Sequence, residues 1–220
     1  MIKWPPHCHD YSLPYFIHQG PSSLNFLAHI FLARHSDDAM LGALLGDFVK
    51  PHSGFAFNAE VEREILIHRK VDAFTDSHPL VLHAKTLFPG PSRRFAGILL
   101  DVFYDHVLAA HWDRYADVAL APFVQRFYQT LRDNADLLPP RLAGAAPYMI
   151  RQDWLGSYVD YGGVEIAIRR MSTRLSKNGD IMCAGLDDLS ANYDALANDF
   201  HAFFPELIAF VHRTRTDTPL

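Results

Sequence analysis

This 220-residue protein has few cysteines and no long apolar run, and each of these features excludes certain classes of protein. Its only cysteines are Cys8 and Cys183, which form neither a CxxC pair nor a zinc ribbon. So few cysteines are typical of a reducing cytoplasm, which is the location we expect. No apolar run approaches the ~18 residues that a membrane span needs, so we expect no such span.

Several signatures of other functions are also missing. The chain has no glycine-rich phosphate loop, no nucleophile elbow and no cysteine–histidine pair of a thiol hydrolase. Its net charge is -5 with histidine neutral, which disfavours a protein that binds nucleic acid over its whole surface. No period-two strand or hairpin turn is recognisable either, so the pattern favours an all-α fold.

Helical periodicity continues along most of the chain, and hydrophobic residues make up 49% of it, enough for a substantial core. We predict a single multi-helix bundle of roughly seven to ten helices. After a first helix that starts at Asn25, the predicted helices cover 37–49, 59–75, 80–88, 93–115, 123–138, 141–154, 164–175 and 186–211. Pro205 is expected to kink or divide the last of them.

The N-terminal stretch differs from the rest, because prolines recur there and no periodicity is present. We expect residues 1–23 to be a poorly ordered extension, residues 24–213 to form the helical domain and residues 214–220 to be a C-terminal tail.

The polar residues whose spacing most clearly indicates a functional site lie on two predicted helices. His68, Asp72 and Asp76 are spaced four residues apart and share one face, since a helix turns about 100° per residue. Asp101 and Asp105 repeat this spacing on a second helix. Both segments are apolar, and a carboxylate is seldom buried there unless it is paired or binds a metal ion. Carboxylates and imidazoles that converge in this way suit a divalent cation.

These polar residues also have structural interpretations. An exposed pair at i and i+4, such as His68 and Asp72, contributes only about 0.3 kcal/mol. Asp47 stands near a helix C-terminus, where its charge opposes the helix dipole and calls for a cation or for hydrogen bonds. His29 stands between apolar residues and, taken alone, fits a core position. Arg69 is either a solvated neighbour or a phosphate clamp.

A set of basic residues is similarly open to two interpretations. Each one singly fits a solvated surface, and together they would form a docking patch for an acidic partner. They are Arg93, Arg94, Arg169, Arg170 and Arg174.

The order of these motifs resembles that of the acyl carrier protein phosphodiesterase family, from about Leu24 to Val211. The motifs are Asn25-Phe26-Leu27-Ala28-His29, Gly42-x-Leu-Leu-x-Asp47-Phe48-Val49, His68-Arg69-x-x-Asp72-x-x-x-Asp76, Leu100-Asp101-Val102-x-x-Asp105-His106 and His111-Trp112. Members typically start with methionine where this chain has Leu24, which suggests that residues 1–23 are an upstream extension.

That family is similar to the HD-type metal-dependent phosphohydrolases, so the resemblance implies an HD-domain-like helical fold. The chain departs from the usual His…His-Asp…Asp order of those enzymes. His68 and Asp72 stand one turn apart, and the adjacent pair Asp105-His106 is reversed.

The resemblance implies hydrolysis of holo-acyl carrier protein to the apo-protein and 4′-phosphopantetheine, a step of prosthetic group turnover in fatty acid biosynthesis. It implies a divalent cation, Mn²⁺ or alternatively Mg²⁺, that polarises a phosphoryl oxygen. The expected metal ligands are His29, Asp47, His68, Asp72 and Asp105. The expected catalytic residues are Arg69, which neutralises phosphoryl charge, and Asp76, Asp101 or His106, which orient water or protonate the leaving oxygen.

Three other functions stay open on the sequence alone. The first is hydrolysis of a nucleotide or another small phosphoester by an HD-like enzyme. The second is a non-enzymatic helical module that binds carrier protein or metal. The third is haem binding through one of the histidines.

Overall fold

Ten α-helices make up most of residues 26–50 and 54–218, the part of the chain that the computed structural model describes. They are α1 (Phe26–Leu32), α2 (Asp37–Leu45), α3 (Ala59–Ser77), α4 (Pro79–Thr86), α5 (Ala96–Ala110), α6 (Leu120–Asp133), α7 (Pro140–Arg151), α8 (Tyr161–Ser172), α9 (Gly179–Ala191) and α10 (Tyr193–Thr216). These described ranges contain no strand, and the all-α prediction is confirmed. The predicted N-terminal extension lies outside the described residues.

Several predicted helix boundaries differ from the structure by a few residues, and the larger differences concern α5 and the last predicted helix. The helix expected over 93–115 covers only Ala96–Ala110, because Gly90–Phe95 form a 3₁₀ turn before it and Trp112–Arg114 form another after it. Ser92 donates its hydroxyl to Pro89 O and Asp188 Oδ2 instead of capping a helix.

The segment 186–211, predicted as one helix, forms parts of two, which are divided at Asn192 rather than at Pro205. The Asn192 side chain donates to Asp188 O, and this local bond competes with helix continuation. Pro205 lies inside α10, which ends at Thr216, beyond the predicted domain end at residue 213.

Helix α5 is the central element of the bundle. Eleven of its 15 residues are buried, as expected for a helix that is apolar on nearly every side. It packs against α1, α4, α8, α9 and α10. All seven residues of α1 are buried between α2 and α5. Among the described residues, no helix combines the length and the apolar character needed to cross a membrane.

Helices α2 and α3 approach each other closely at two glycines. A Cβ atom on Gly42 would lie 2.5 Å from Val61 O, and one on Gly46 would lie 2.2 Å from Cγ of His68. Only residues without a side chain allow this separation. The close approach brings the end of α2, and with it Asp47, next to the ring of His68.

Candidate metal centre

Two imidazoles and a carboxylate meet between α1 and α3. The rings of His29 on α1 and His68 on α3 are stacked, with centroids 3.9 Å apart. Asp72 follows His68 by one turn and has Oδ1 3.1 Å from His29 Nε2 and Oδ2 3.3 Å from His68 Nε2. One ligand atom from each of the three residues lies within 4.8 Å of the others. The structure thus brings together three of the five predicted ligands, His29, His68 and Asp72.

Asp47 adds a second carboxylate from the turn after α2. Its Oδ1 lies 3.6 Å from His68 Nε2, and its side chain is only 6% exposed. Asp47 Oδ2 and His29 Nε2 are both buried and have no hydrogen-bond partner among residues 26–50 and 54–218. His29 Nε2 approaches Asp72 Oδ1 to 3.1 Å, but outside hydrogen-bond geometry. Buried polar atoms without partners cost free energy, and a cation would satisfy both. His29, His68, Asp72 and Asp47 form a cation group whose two imidazoles and two carboxylates fit a divalent metal ion.

A hydrogen bond behind His68 fixes the direction of its ring. Nδ1 lies 2.7 Å from Ala43 O, and because a carbonyl oxygen only accepts, Nδ1 carries the proton. The lone pair of a neutral His68 is then on Nε2, which faces Asp47 and Asp72. Bonds of this kind, behind a ligand, orient the imidazoles of metal sites. Neither this carbonyl nor Gly46 was recognised in the sequence, where the only signal is the Gly42–Gly46 spacing before Asp47.

The electrostatics of the group favour a positive charge at its centre. Burial by itself lowers the pKa of His68, but the carboxylates of Asp47 and Asp72 outweigh it and raise that pKa to about 10. Burial, and then the neighbouring His68, lower the pKa of His29. Burial raises the pKa of Asp72, but His29 and His68 outweigh it and hold that pKa below its usual range. A cation would replace the proton that this environment otherwise keeps on His68.

Asp105, a predicted ligand, is used differently. Its Oδ2 accepts a hydrogen bond from Leu27 N at 2.9 Å, and its Oδ1 accepts one from Ala28 N at 2.8 Å. It therefore satisfies two of the first N–H groups of α1, which have no partner within the helix. Asp105 is fully buried and is not among the residues that form the cation group in the described part of the chain. It acts on the site by holding the helix that carries His29.

Asp101 lies one turn before Asp105 on α5. Burial raises the pKa of the Asp101 carboxyl to about 7, and the charges of Asp72, Asp76 and Asp47 add to this shift, against the opposing Lys85. A carboxyl group of this kind exchanges protons near neutral pH.

The other predicted catalytic residues have partners elsewhere. Asp76 is 75% exposed and pairs with Lys85 Nζ at 2.8 Å. His106 donates from Nδ1 to Tyr158 O and accepts at Nε2 from the Tyr193 hydroxyl, each at 2.8 Å, so both ring nitrogens are in use. The cation group does not include His106.

Arg69 donates from Nη2 to Val49 O at 2.9 Å. It thereby anchors the segment that follows Asp47. Of the predicted docking residues, Arg93 and Arg94 are exposed on the 3₁₀ turn before α5, and Arg169 is exposed on α8.

Comparison with known proteins identifies relatives over most of the chain. A family model described as acyl carrier protein phosphodiesterase matches residues 24–207. A relative with this name from Yersinia enterocolitica is 32% identical over 187 residues, which cover 84% of this chain and 96% of the relative. Relatives with the same name from Salmonella agona and Salmonella dublin are each 34% identical over the same length and coverage. No solved structure matches, so the HD-domain-like architecture stays a prediction.

Replacing Asp105 with alanine should destabilise the fold. The change leaves two buried N–H groups of α1 without an acceptor, which should cost on the order of 3 kcal/mol in the free energy of unfolding. Urea denaturation measures the loss. The control is Asp37→Ala, which removes an exposed ion pair with Arg126 and should cost at most about 1 kcal/mol. Equal stability of the Asp105→Ala variant and the native protein would contradict the capping role.

Proposed function

Because the chain belongs to the acyl carrier protein phosphodiesterase family, we propose that it hydrolyses holo-acyl carrier protein to the apo-protein and 4′-phosphopantetheine, in a reaction that depends on a divalent cation. The observations that support the cation are the convergence of His29, His68 and Asp72, the carboxylate of Asp47 beside His68, and the buried atoms His29 Nε2 and Asp47 Oδ2, which lack hydrogen-bond partners among the described residues. We propose Mn²⁺ before Mg²⁺, since Mg²⁺ binds through oxygen whereas this set offers two imidazoles. The few cysteines support a cytoplasmic location.

The four side chains would hold the cation through Nε2 of His29 and His68 and through the carboxylates of Asp47 and Asp72. When bound, such a cation polarises a phosphoryl oxygen and lowers the pKa of a water molecule. Exposure indicates the direction of substrate approach. The side chain of Asp72 is 33% exposed, whereas both imidazoles are 2% exposed, so the phosphodiester reaches the site from the Asp72 side.

The reaction also requires a proton donor. Water adds to phosphorus, the bond from phosphorus to the serine oxygen breaks, and that oxygen takes up a proton to become a hydroxyl. Asp101 is the proposed donor, because burial, the largest cause of its raised pKa, favours the protonated carboxyl. Asp76 is paired with Lys85 and both nitrogens of His106 are in use, which leaves them less suited to this role. We propose that Arg69 has two roles. Its hydrogen bond to Val49 O fixes the turn that carries Asp47, and its positive charge stabilises the phosphoryl group.

The surface proposed for docking of the carrier protein is a basic one that contains Arg93, Arg94 and Arg169. The 3₁₀ turn with Arg93 and Arg94, and α8 with Arg169, both pack against α9, so these arginines lie on neighbouring elements. An acidic partner would be steered to such a surface, and salt would weaken the effect. We propose that the carrier protein docks there while its phosphodiester enters the cation site.

The decisive assay incubates the protein with holo-acyl carrier protein and Mn²⁺ and follows the mass loss that corresponds to phosphopantetheine. Asp72→Ala should abolish the mass loss and the binding of Mn²⁺, while the helical circular dichroism is retained. The matched variant is Asp101→Asn, which should bind Mn²⁺ normally but turn over about 100-fold more slowly, since it lacks only the proton donor.

Two results would contradict the proposal. One is release of phosphopantetheine by Asp72→Ala at the native rate. The other is hydrolysis of nucleotides by the native protein in preference to holo-acyl carrier protein.

Charge reversal tests the docking surface separately. Arg94→Glu and Arg169→Glu should raise KM for holo-acyl carrier protein severalfold and leave kcat unchanged, because they act before the chemical step. The control is Arg132→Glu on α6, which contacts Gln129 and lies outside the proposed surface. A KM that changes no more than in this control would rule out docking at these arginines.

A further inference from the structure

Arg215, in the last turn of α10, contacts both helices that carry the imidazole pair. Its Nε and Nη2 each donate to a different oxygen of Glu64 at 2.8 Å, and Nη2 also donates to Leu32 O at 3.1 Å. Leu32 ends α1, three residues after His29, and Glu64 lies on α3, one turn before His68. One guanidinium therefore joins the end of α1 to α3.

Burial of Glu64 makes its contact with Arg215 difficult for another side chain to reproduce. Glu64 is 1% exposed, and a buried carboxylate requires a partner. The two parallel bonds from a planar guanidinium match it in a geometry that a lysine does not reproduce. The other basic groups near Glu64 in the described part of the chain are more distant. Arg63 Nε donates to Glu64 Oε1 at 3.4 Å, and His35 Nε2, whose pKa burial lowers, is 4.0 Å from the same oxygen. The carbonyl of Leu32 belongs to the last turn of α1, where no helical N–H is available to it.

The pair of Glu64 and Arg215 lies directly behind the imidazoles. A cavity of about 10 Å³ has His29 and His68 in its wall together with Glu64 and Arg215. Along α3, Glu64 precedes His68 by four residues and shares its face. Because all four side chains line the same cavity, a displacement of the Glu64–Arg215 pair would change the packing of the two imidazoles.

Helix α1 depends on such external contacts for its position. It has only seven residues, and a helix of about two turns has little stability of its own. Asp105 holds its first N–H groups, and Arg215 holds a carbonyl at its other end. His29 lies between these two attachment points.

We propose that Arg215 is a positioning residue of the cation site, which through Glu64 and Leu32 O holds α1 against α3 so that His29 faces His68 and Asp72. The role in catalysis rests on the proposed function. The arrangement of the two imidazoles, however, is fixed by Arg215 whether or not a cation is bound. Loss of a contact behind the ligands of a metal site typically weakens metal affinity about ten- to hundredfold.

The test uses two variants and a control. The double variant Glu64→Gln with Arg215→Met removes the contact without leaving an unpaired buried carboxylate, so it should fold. Arg215→Lys keeps the charge but loses the paired hydrogen bonds. The control is Arg213→Met, which alters an exposed residue of the same helix. Calorimetry measures Mn²⁺ affinity below the onset of unfolding, and steady-state kinetics give kcat and KM.

The double variant should bind Mn²⁺ at least about tenfold more weakly and lose kcat, with KM for the carrier protein unchanged, because the guanidinium of Arg215 is engaged with Glu64 and Leu32 O. The Mn²⁺ affinity and kcat of Arg215→Lys should lie between those of the double variant and the native protein. Both values for Arg213→Met should equal those of the native protein. A purely structural role would lower only Tm. Native Mn²⁺ affinity in the folded double variant would overturn the proposal.

A second readout separates this inference from the proposed function. If the native protein binds neither Mn²⁺ nor Mg²⁺, the proposed function is contradicted, and the positioning role is then decided by nuclear Overhauser contacts between the rings of His29 and His68. Loss of these contacts in the folded double variant supports the role of Arg215, and their persistence refutes it.

Discussion

The hydrogen bonds from α1 to the buried carboxylate of Asp105 determine where one half of the site lies. They fix the start of a seven-residue helix on the central helix α5, and His29 follows directly after them. The other half depends on the contact between α2 and α3 at Gly42 and Gly46, which sets the ring of His68 beside Asp47. The cation group is thus assembled from three helices that are each positioned by a specific buried contact.

Without a positive charge at its centre, the cation group lowers the stability of the folded protein. Two imidazoles are stacked in the interior, and Asp47 Oδ2 beside them finds no hydrogen-bond partner in the part of the chain that the structure describes. Such groups are retained in a core when they serve a function, since apolar residues of the same volume would pack there at lower cost. A bound cation would convert this local cost into a gain in stability, because its binding is coupled to folding.

Much of this arrangement could be predicted from local spacing. The four-residue repeat of His68, Asp72 and Asp76 correctly indicated one helical face, but not that Asp76 reaches the surface and pairs with Lys85. Asp105 was expected at the cation, because spacing shows which face a residue shares and not which neighbouring helix it meets. His106 is only one residue further, yet a rotation of about 100° turns it towards Tyr158 and Tyr193. Long-range contacts of this kind leave no pattern in a single sequence.

The most direct test of the account is pulsed electron paramagnetic resonance of Mn²⁺ bound to the protein labelled with ¹⁵N-histidine. The account predicts hyperfine couplings from two histidine nitrogens, one lost in His29→Ala and the other in His68→Ala. Bound Mn²⁺ that shows no histidine coupling, or couplings that survive both substitutions, would contradict it.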